Sequence, residues 1–322
     1  MHFREIHIKK YLFGTIAATC CFFSLCLLQS CFTGIEGTKK INMSKEDKRK
    51  AKATDEEEFF SGINALPLQE WEKGKIFIAT DDKALLIYDT QQQLFPNDSV
   101  SIKGKLMQFA GVESKMNAAG DLTVVILFTD GERLLAYDTN KEFESAMTSF
   151  KSDEVPMMID AEMVMQARKK LVGKNLWTRS NLWYDENGER IDGKKYIPVT
   201  VTAVEPGSLL FPLKVKIKDE SGEEAYMFMN FGNSGTESRS FHNLFSISDI
   251  RKHYPTIEPE TWDYISIGKV KSGMTKDECR LALGNPVDVN SGHDYSQTID
   301  IWNYDNGKVL WFEDGRLVRF RQ

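Results

Sequence analysis

The chain has 322 residues, of which 41% are hydrophobic and 27% are charged, with 41 Lys and Arg against 47 Asp and Glu. This length predicts two or three domains, and the mean hydropathy of -0.38 excludes a protein with many membrane spans. The formal net charge of -6 argues against nucleic-acid binding, because neutralising phosphates requires a basic surface.

The first thirty residues are typical of a secretory leader, and residues 1–30 are predicted to be a signal peptide. A positive segment with Arg4, Lys9 and Lys10 comes first, and an apolar segment over residues 11–28 follows it. The apolar segment is also close to the lower length limit for a bilayer span, so an uncleaved membrane anchor is the alternative. The order of the parts favours the cleaved leader.

The end of the leader resembles the lipobox of bacterial lipoproteins. Leu28, Ser30 and Cys31 match that pattern, whereas Gln29 stands where a small or hydrophobic residue is preferred. The resemblance implies cleavage between Ser30 and Cys31 and a diacylglycerol on the Cys31 thiol, with palmitate as an acyl chain. It therefore predicts a lipid-anchored membrane protein of the cell envelope.

Residues 31–60 are predicted to form a charged, flexible tether. Few apolar residues interrupt it, so it cannot bury enough surface to offset the entropy lost on ordering. Its basic residues precede its acidic ones: Lys39, Lys40, Lys45, Lys48, Arg49, Lys50 and Lys52, then Asp55, Glu56, Glu57 and Glu58. Neither Phe32 nor Thr33 is an acidic residue of the kind that retains a lipoprotein at the inner membrane. This favours the outer membrane and leaves the leaflet open.

Residues 61–155 and residues 173–250 are predicted to be two β modules with the same order of elements. Each opens with a Gly-Lys pair and an aromatic strand, and ends with a Tyr-bearing strand after an acidic-Gly or Asp-Gly turn. In the first module a short strand is predicted over residues 84–88. Short strands separated by turns indicate a small barrel or sandwich. The size and strand order resemble those of bacterial SH3-like barrels.

Residues 156–172 are predicted to be a helix that connects the two modules. Apolar residues recur there at helical spacing, after Pro156 and before Gly173.

One strand of the second module has a clear period of two. Residues 213, 215 and 217 are apolar, whereas residues 214, 216 and 218 are lysines. This alternation indicates a half-buried strand. Its lysine side is either a binding stripe or, more commonly, the solvated side of a sheet.

Residues 251–322 carry the most specific signals of the chain. A helix is predicted over residues 260–267, and a second helix begins at the capping box of Thr275 and Glu278. Three strands are predicted over residues 299–304, 308–313 and 316–320, joined by the hairpin turns Asn306-Gly307 and Asp314-Gly315. The predicted unit is two helices packed on a three-stranded meander.

This C-terminal unit resembles the SmpA/OmlA (BamE-like) lipoprotein domain over residues 259–322. The motifs that carry the resemblance are Gly273–Glu278, Leu283–Pro286, Ile301–Tyr304 and Leu310–Gly315. The family consists of small outer-membrane lipoproteins, and its best-known member is an accessory subunit of the machinery that inserts β-barrel proteins. The resemblance implies an α+β fold of order ααβββ and allows an accessory role in that assembly.

The sequence offers little chemistry. The histidines after the leader are not spaced as zinc ligands on one helix, and no catalytic, metal or cofactor site is predicted. Cys279 lies on the apolar side of a predicted helix, so a buried thiol is expected. Neighbouring acidic residues, such as Asp81 with Asp82, Asp153 with Glu154 and Glu223 with Glu224, are expected at turns and on the surface.

Aromatic residues are the candidate binding residues. They form two groups, one in the second module and one in the C-terminal unit: Trp177, Trp183, Tyr184, Trp302 and Trp311. Aromatic side chains on small barrels bind peptides or glycans, and core packing is the alternative.

These observations predict a β-rich α+β protein that acts as a non-enzymatic scaffold or binding module. Its expected partners are the membrane, through the N-terminal lipid, and envelope proteins or glycans, with no nucleic acid and no cofactor. Two other functions stay open: an accessory role in outer-membrane β-barrel assembly, and hydrolysis of cell-wall material or a polysaccharide.

Overall fold

The computed structural model describes residues 54–90, 101–116, 119–232, 237–294 and 297–321. The predicted signal peptide, Cys31 and the tether as far as residue 53 lie outside these ranges. The described chain is β-rich with a few helices, as predicted, and forms three antiparallel sheets. Its first helix is α1 (Asp55–Phe59). None of the described helices has the length and apolar character needed to cross a membrane.

The first sheet has six strands in the order β2-β5-β4-β3-β1-β6. The strands are β1 (Ile76–Ala79), β2 (Asp89–Thr90), β3 (Leu106–Met116), β4 (Leu122–Thr129), β5 (Leu134–Glu142) and β6 (Met158–Asp160), with α2 (Phe143–Ser149) before β6. The strand predicted over residues 84–88 is wrong. Asp82–Leu86 is a 3-10 helix, because the Asp81 carboxylate accepts a hydrogen bond from the Lys83 N–H and caps it.

The second sheet has seven strands in the order β13-β7-β10-β11-β12-β8-β9. It follows the connecting helix α3 (Ala161–Leu171), which confirms the predicted helix, although residues 158–160 form β6 instead. The strands are β7 (Asn175–Thr178), β8 (Leu182–Tyr184), β9 (Arg190–Asp192), β10 (Pro198–Pro206), β11 (Leu213–Asp219), β12 (Glu224–Met229) and β13 (Phe245–Ser246), with α4 (Phe241–Leu244) before β13. In β11 the apolar side is buried, as its period of two predicts.

The two sheets repeat one topology. When β1 to β6 are matched in order with β7, β8, β10, β11, β12 and β13, every neighbour agrees, and β9 is the one additional strand in the described part. The Gly74 N–H donates to the Phe109 carbonyl at 2.8 Å, and the Gly173 N–H donates to the Val201 carbonyl at 2.9 Å. Both sheets have a β-bulge directly after that carbonyl residue. The predicted repeat is therefore confirmed down to single hydrogen bonds.

The Gly-Lys pairs begin both sheets for a backbone reason. Gly74 and Gly173 have φ of 91° and 79°, in the left-handed region that residues with a Cβ atom rarely adopt. This conformation turns the chain into β1 and β7 at the same point of the repeat.

The end of the predicted tether belongs to the folded body, which corrects the boundary at residue 60. Phe60 is 1% exposed and lies in the core of the second sheet. Its ring stacks on Phe241 with centroids 5.2 Å apart. The Glu56 carboxylate accepts a hydrogen bond from Ser246 at 2.9 Å and lies 3.4 Å from Arg179. The chain thus enters the body at the second sheet and only then forms the first.

The C-terminal unit packs α5 (Pro259–Ser266) and α6 (Lys276–Leu283) on one face of a sheet of order β14-β15-β16-β17. The strands are β14 (Asp288–Asp294), β15 (Gln297–Asn303), β16 (Val309–Glu313) and β17 (Arg316–Arg321). The predicted count of three strands is wrong, because β14 pairs along the edge of β15. The capping box is confirmed: the Glu278 N–H donates to Thr275 Oγ1, and the Thr275 N–H donates to Glu278 Oε2.

A buried lysine joins the second sheet to the C-terminal unit. Lys195 is 9% exposed, and its Nζ donates a hydrogen bond to the carbonyl oxygen of Ala282, near the end of α6, at 2.6 Å. The Lys195 N–H also donates to the Ser266 carbonyl at 2.9 Å. Burial, assisted by the charge of Lys308, lowers the pKa of the Lys195 ammonium to about 8.

The stability of this junction is expected to rise at alkaline pH. Between pH 8 and about 10.5 the folded protein has released the Lys195 proton while the unfolded chain still binds it, so the unfolded state binds more protons. Below pH 8 the folded protein carries the buried charge of Lys195, and the gain in the free energy of unfolding is lost. From pH 7 to pH 9.5, the free energy of unfolding of the wild type should gain about 2 kcal/mol relative to a Lys195→Met variant.

Urea denaturation of both proteins at the two pH values measures this gain. The other titrating groups are present in both proteins, so their contributions cancel when the free energies of unfolding are subtracted. A difference between the two proteins that does not change with pH would show that Lys195 titrates normally.

Candidate ligand-binding face

The outer face of the second sheet carries a row of cations and aromatic rings. Residues directly opposite each other on antiparallel strands lie on the same face. The register therefore aligns Lys216 (β11), Tyr226 (β12), Tyr184 (β8) and Arg190 (β9). Glu205 (β10), Lys214 and Phe228 form the neighbouring row. The intervening residues of these strands point into the core.

The cations lie over the rings. Lys214 Nζ is 4.1 Å from the centroid of Tyr226, and the Arg239 guanidinium is 4.2 Å from Phe211. The same guanidinium is 5.3 Å from the ring of Tyr184. A cation over an aromatic ring contributes about 0.5 to 1 kcal/mol at an exposed site. These contacts favour the positions of the cations over the rings.

Arg239 reaches the face from the loop that follows β12. Its Nη2 donates to the hydroxyl of Tyr184 at 2.6 Å, and the Asn230 N–H donates to its carbonyl at 3.1 Å. Its φ of 54° lies in the left-handed region, which costs energy for a residue with a Cβ atom. Within the part of the chain that the structure describes, no carboxylate forms an ion pair with Arg239.

Lys214 and Lys216 differ in their partners. Lys216 forms an ion pair of 2.7 Å with Glu224, and this hydrogen bond raises the pKa of Lys216 and lowers that of Glu224. Lys214 Nζ instead donates to the backbone carbonyl of Glu186 at 2.9 Å. Among the described contacts, then, Lys214 and Arg239 are held without a carboxylate partner.

The first sheet provides an internal comparison for this face. The bulge and the strand register, which both sheets share, show which residues of the first sheet correspond to the residues of this face. Where the second sheet has Lys214, Lys216, Tyr226, Phe228 and Tyr184, the first has Val125, Leu127, Ala136, Asp138 and Asp89. Val125 and Leu127 are themselves buried, at 7% and 8% exposed. The same topology thus forms without cations or rings at these positions, so the fold does not require them.

The aromatic residues singled out from the sequence have three different environments. Trp183 and Trp302 are 0% and 1% exposed, and each lies in a separate core. Trp177 and Trp311 are partly exposed and carry an arginine, with Arg251 4.5 Å from Trp177 and Arg319 4.1 Å from Trp311. Tyr184 and Trp177 both lie on the outer face of the second sheet, since Trp177 alternates with the buried Leu176 in β7 and pairs with Pro198. Tyr184 is the one that contacts Arg239.

Sequence reasoning missed most of this face. Tyr226 and Phe228 alternate with buried residues in β12, so the period of two indicated their orientation. Phe211 and Arg239 come from loops, where no periodicity points to them. Only the folded chain brings them to Tyr184.

A second candidate is a cavity of about 610 Å³ in the C-terminal unit, beside the capping box. Its charged side chains contact neighbouring groups: Arg316 Nη1 donates to the Gly273 carbonyl at 3.1 Å, and Lys271 Nζ lies 2.8 Å from Glu260. Cys279, in α6, is fully buried as expected, and burial raises the pKa of its thiol to about 12. The thiol therefore stays protonated at neutral pH.

The acidic residues that are neighbours in the sequence accept hydrogen bonds in turns or form ion pairs with lysines. Asp82 accepts hydrogen bonds from the backbone N–H groups of Ile102 and Lys103 at 2.7 and 2.9 Å. Glu154 and Glu223 form ion pairs with Lys141 and Lys194. In the described ranges, no three His, Cys, Asp or Glu side chains group as metal ligands would.

Comparisons with known proteins do not assign the chain to a family. No protein-family model matches the chain, and no curated protein matches it.

Proposed function

We propose that this protein is a lipid-anchored, non-enzymatic binding module of the cell envelope, and that it binds its partner through the outer face of the second sheet. One observation carries the proposal: the cation and aromatic positions of this face are occupied by Val125, Leu127, Ala136, Asp138 and Asp89 in the first sheet. Partly exposed cations and rings that the fold does not need suit a binding face.

The proposed anchor is supported by the order of parts at the N terminus. A positive segment, an apolar segment and Cys31 follow one another as in lipoprotein precursors. The basic half of the tether comes next, and each Lys or Arg close to an anionic membrane surface contributes about 1 kcal/mol of attraction. We propose the outer membrane as the anchoring site.

We also propose that the C-terminal unit is a BamE-like domain and that the two modules are SH3-like. The two helices on one face of an antiparallel sheet and the capping box at Thr275 support the first assignment. The antiparallel meander shared by both modules supports the second. A role in β-barrel assembly is a second candidate function. The surface available for it is the outer row Ile301, Trp311 and Arg319, which lies outside the core beneath the helices.

Lipidation should depend entirely on Cys31. Cells that express the wild type are expected to incorporate radiolabelled palmitate into the protein, and a Cys31→Ala variant should incorporate none, because only a thiol at the cleavage site accepts the diacylglycerol. Cys279→Ala is the matched control and should be labelled like the wild type. Label that persists in Cys31→Ala would disprove the anchor.

Crosslinking in intact cells tests the binding face. A photocrosslinking amino acid in place of Tyr184 should give an adduct with a macromolecule, identified by mass spectrometry or sugar analysis. The same amino acid at Asp89, the equivalent position of the first sheet, should give none. Equal yields at both positions, or no adduct at position 184, would contradict the proposed binding function. Adducts from position 311 that contain assembly components would support the second candidate instead.

A further inference from the structure

We propose that the outer face of the second sheet binds a linear polysaccharide that carries carboxylate groups. This inference rests on the proposed function, since it names the ligand class of the same face. Three properties of the face support it: its cations without carboxylate partners, its exposed ring edges, and the spacing of its rows.

The cations point to a carboxylate. Arg239 uses one Nη2 hydrogen bond on Tyr184 and has no ion pair within the described residues. Its planar guanidinium keeps further N–H groups, which match the two oxygens of a carboxylate. Lys214 supplies a second cation with a backbone carbonyl as its polar partner. Both cations are held in place by rings, so less side-chain entropy is lost on binding.

The rings point to a sugar. Tyr184 and Phe228 are partly exposed and meet edge to face, with centroids 5.0 Å apart. The C–H groups of a sugar ring pack on such an apolar ledge, and the Tyr184 hydroxyl can hydrogen-bond to sugar hydroxyls. Arg239 and Lys214 lie over the rings of Phe211 and Tyr226, and Arg239 also lies 5.3 Å from the ring of Tyr184. The rings left for a ligand to contact are therefore the partly exposed Tyr184 and Phe228, and a comparison with oligo(dT) decides between a sugar and a base.

The spacing of the rows suits a polymer, as the strand spacing of any β-sheet does. The row from Lys216 to Arg190 crosses four neighbouring strands, which lie about 4.8 Å apart. That distance is close to the length of one pyranose residue in a chain. A polysaccharide crossing the strands would therefore pass Lys216, Tyr184 and Arg190 in turn, while Tyr226 lies beneath Lys214 and is 9% exposed.

Titration of the full chain with an alginate octasaccharide, a linear polyuronate, tests the proposal at low ionic strength. The wild type is expected to bind it, and Arg239→Gln should weaken binding about tenfold, as expected for the loss of a charged hydrogen bond. Arg319→Gln is the matched control. It removes an arginine stacked 4.1 Å over Trp311 on a different sheet, and it should change the affinity by less than about twofold.

A second variant guards against misfolding. Lys214→Gln alters an outward-facing position of β11 and should also weaken binding. It replaces Arg239→Gln in the test if the thermal transition of Arg239→Gln shows that this variant does not fold. The proposal is overturned if alginate does not bind, or if Arg239→Gln and Arg319→Gln lose affinity equally. Tighter binding of neutral cellohexaose or of an oligo(dT) octamer also overturns it, and the latter assigns the face to nucleic acid.

The two proposals fail in different ways. If alginate does not bind but position 184 still forms an adduct that position 89 does not, the ligand class is wrong and the binding function stands. If neither position forms an adduct, the function itself fails. If the molecule crosslinked at position 184 is a protein, the polysaccharide proposal is overturned and the binding function stands.

Discussion

Replacing Phe60 by alanine is expected to lower the free energy of unfolding by about 3 to 5 kcal/mol. Phe60 is 1% exposed in the core of the second sheet, and its ring stacks on Phe241. Truncation removes this buried area and leaves a cavity that the surrounding strands cannot close. Equilibrium urea denaturation of the purified protein measures the loss.

Phe143→Ala is the matched control for Phe60→Ala. Phe143 begins the short helix α2, whereas Phe60 directly follows the short helix α1. Phe143 is 53% exposed, so its truncation should change the free energy of unfolding by about 0.5 kcal/mol or less. Equal effects of the two substitutions would show that residues near 60 belong to the tether and not to the second core. The folded body would then begin after residue 60.

Replacing Asp160 by alanine is expected to destabilise the protein by about 3 kcal/mol. Asp160 pairs with Lys75 at 2.8 Å, and the side chains are 1% and 6% exposed. Asp160 also accepts the Glu162 N–H at 2.9 Å and so caps α3. The variant leaves a buried ammonium with the half-exposed Glu162 as its remaining ion-pair partner and removes a helix cap.

Two further variants, measured by urea denaturation, show how much of this loss comes from the buried unpaired charge. Lys75→Met combined with Asp160→Leu should recover most of the loss, because no unpaired charge is then buried. Asp277→Ala breaks the exposed pair with Arg280 and should cost less than about 1 kcal/mol. A loss for Asp160→Ala no larger than that for Asp277→Ala would contradict the expected cost of the buried charge.

Elements with local signals were predictable from the sequence. The capping box at Thr275 starts α6 because its two hydrogen bonds join residues three apart. Asp314 and Gly315 both have positive φ, at 47° and 80°, as the Asp-Gly hairpin signal requires. The repeat of two modules was predictable for the same reason, since each strand and turn carries its own pattern.

Elements that depend on distant partners were not predictable. Residues 288–294 have no apolar alternation and become β14 only because β15 offers them an open edge. The apolar residues 84–88 suited a strand, but the Asp81 cap selects a 3-10 helix there. Of the candidate aromatics, Trp183 and Trp302 were drawn into cores, where each buries a large apolar area.

The sequence by itself determined the local elements of this protein: the charged N-terminal region, the repeated strands, the helix caps and the hairpin turns. These follow from backbone preferences and from patterns a few residues long. The tertiary structure alone decided that Phe60 completes the second core, and that Arg239 meets Tyr184 across 55 residues. Such contacts depend on which segments become neighbours, and short-range patterns carry no information about that choice.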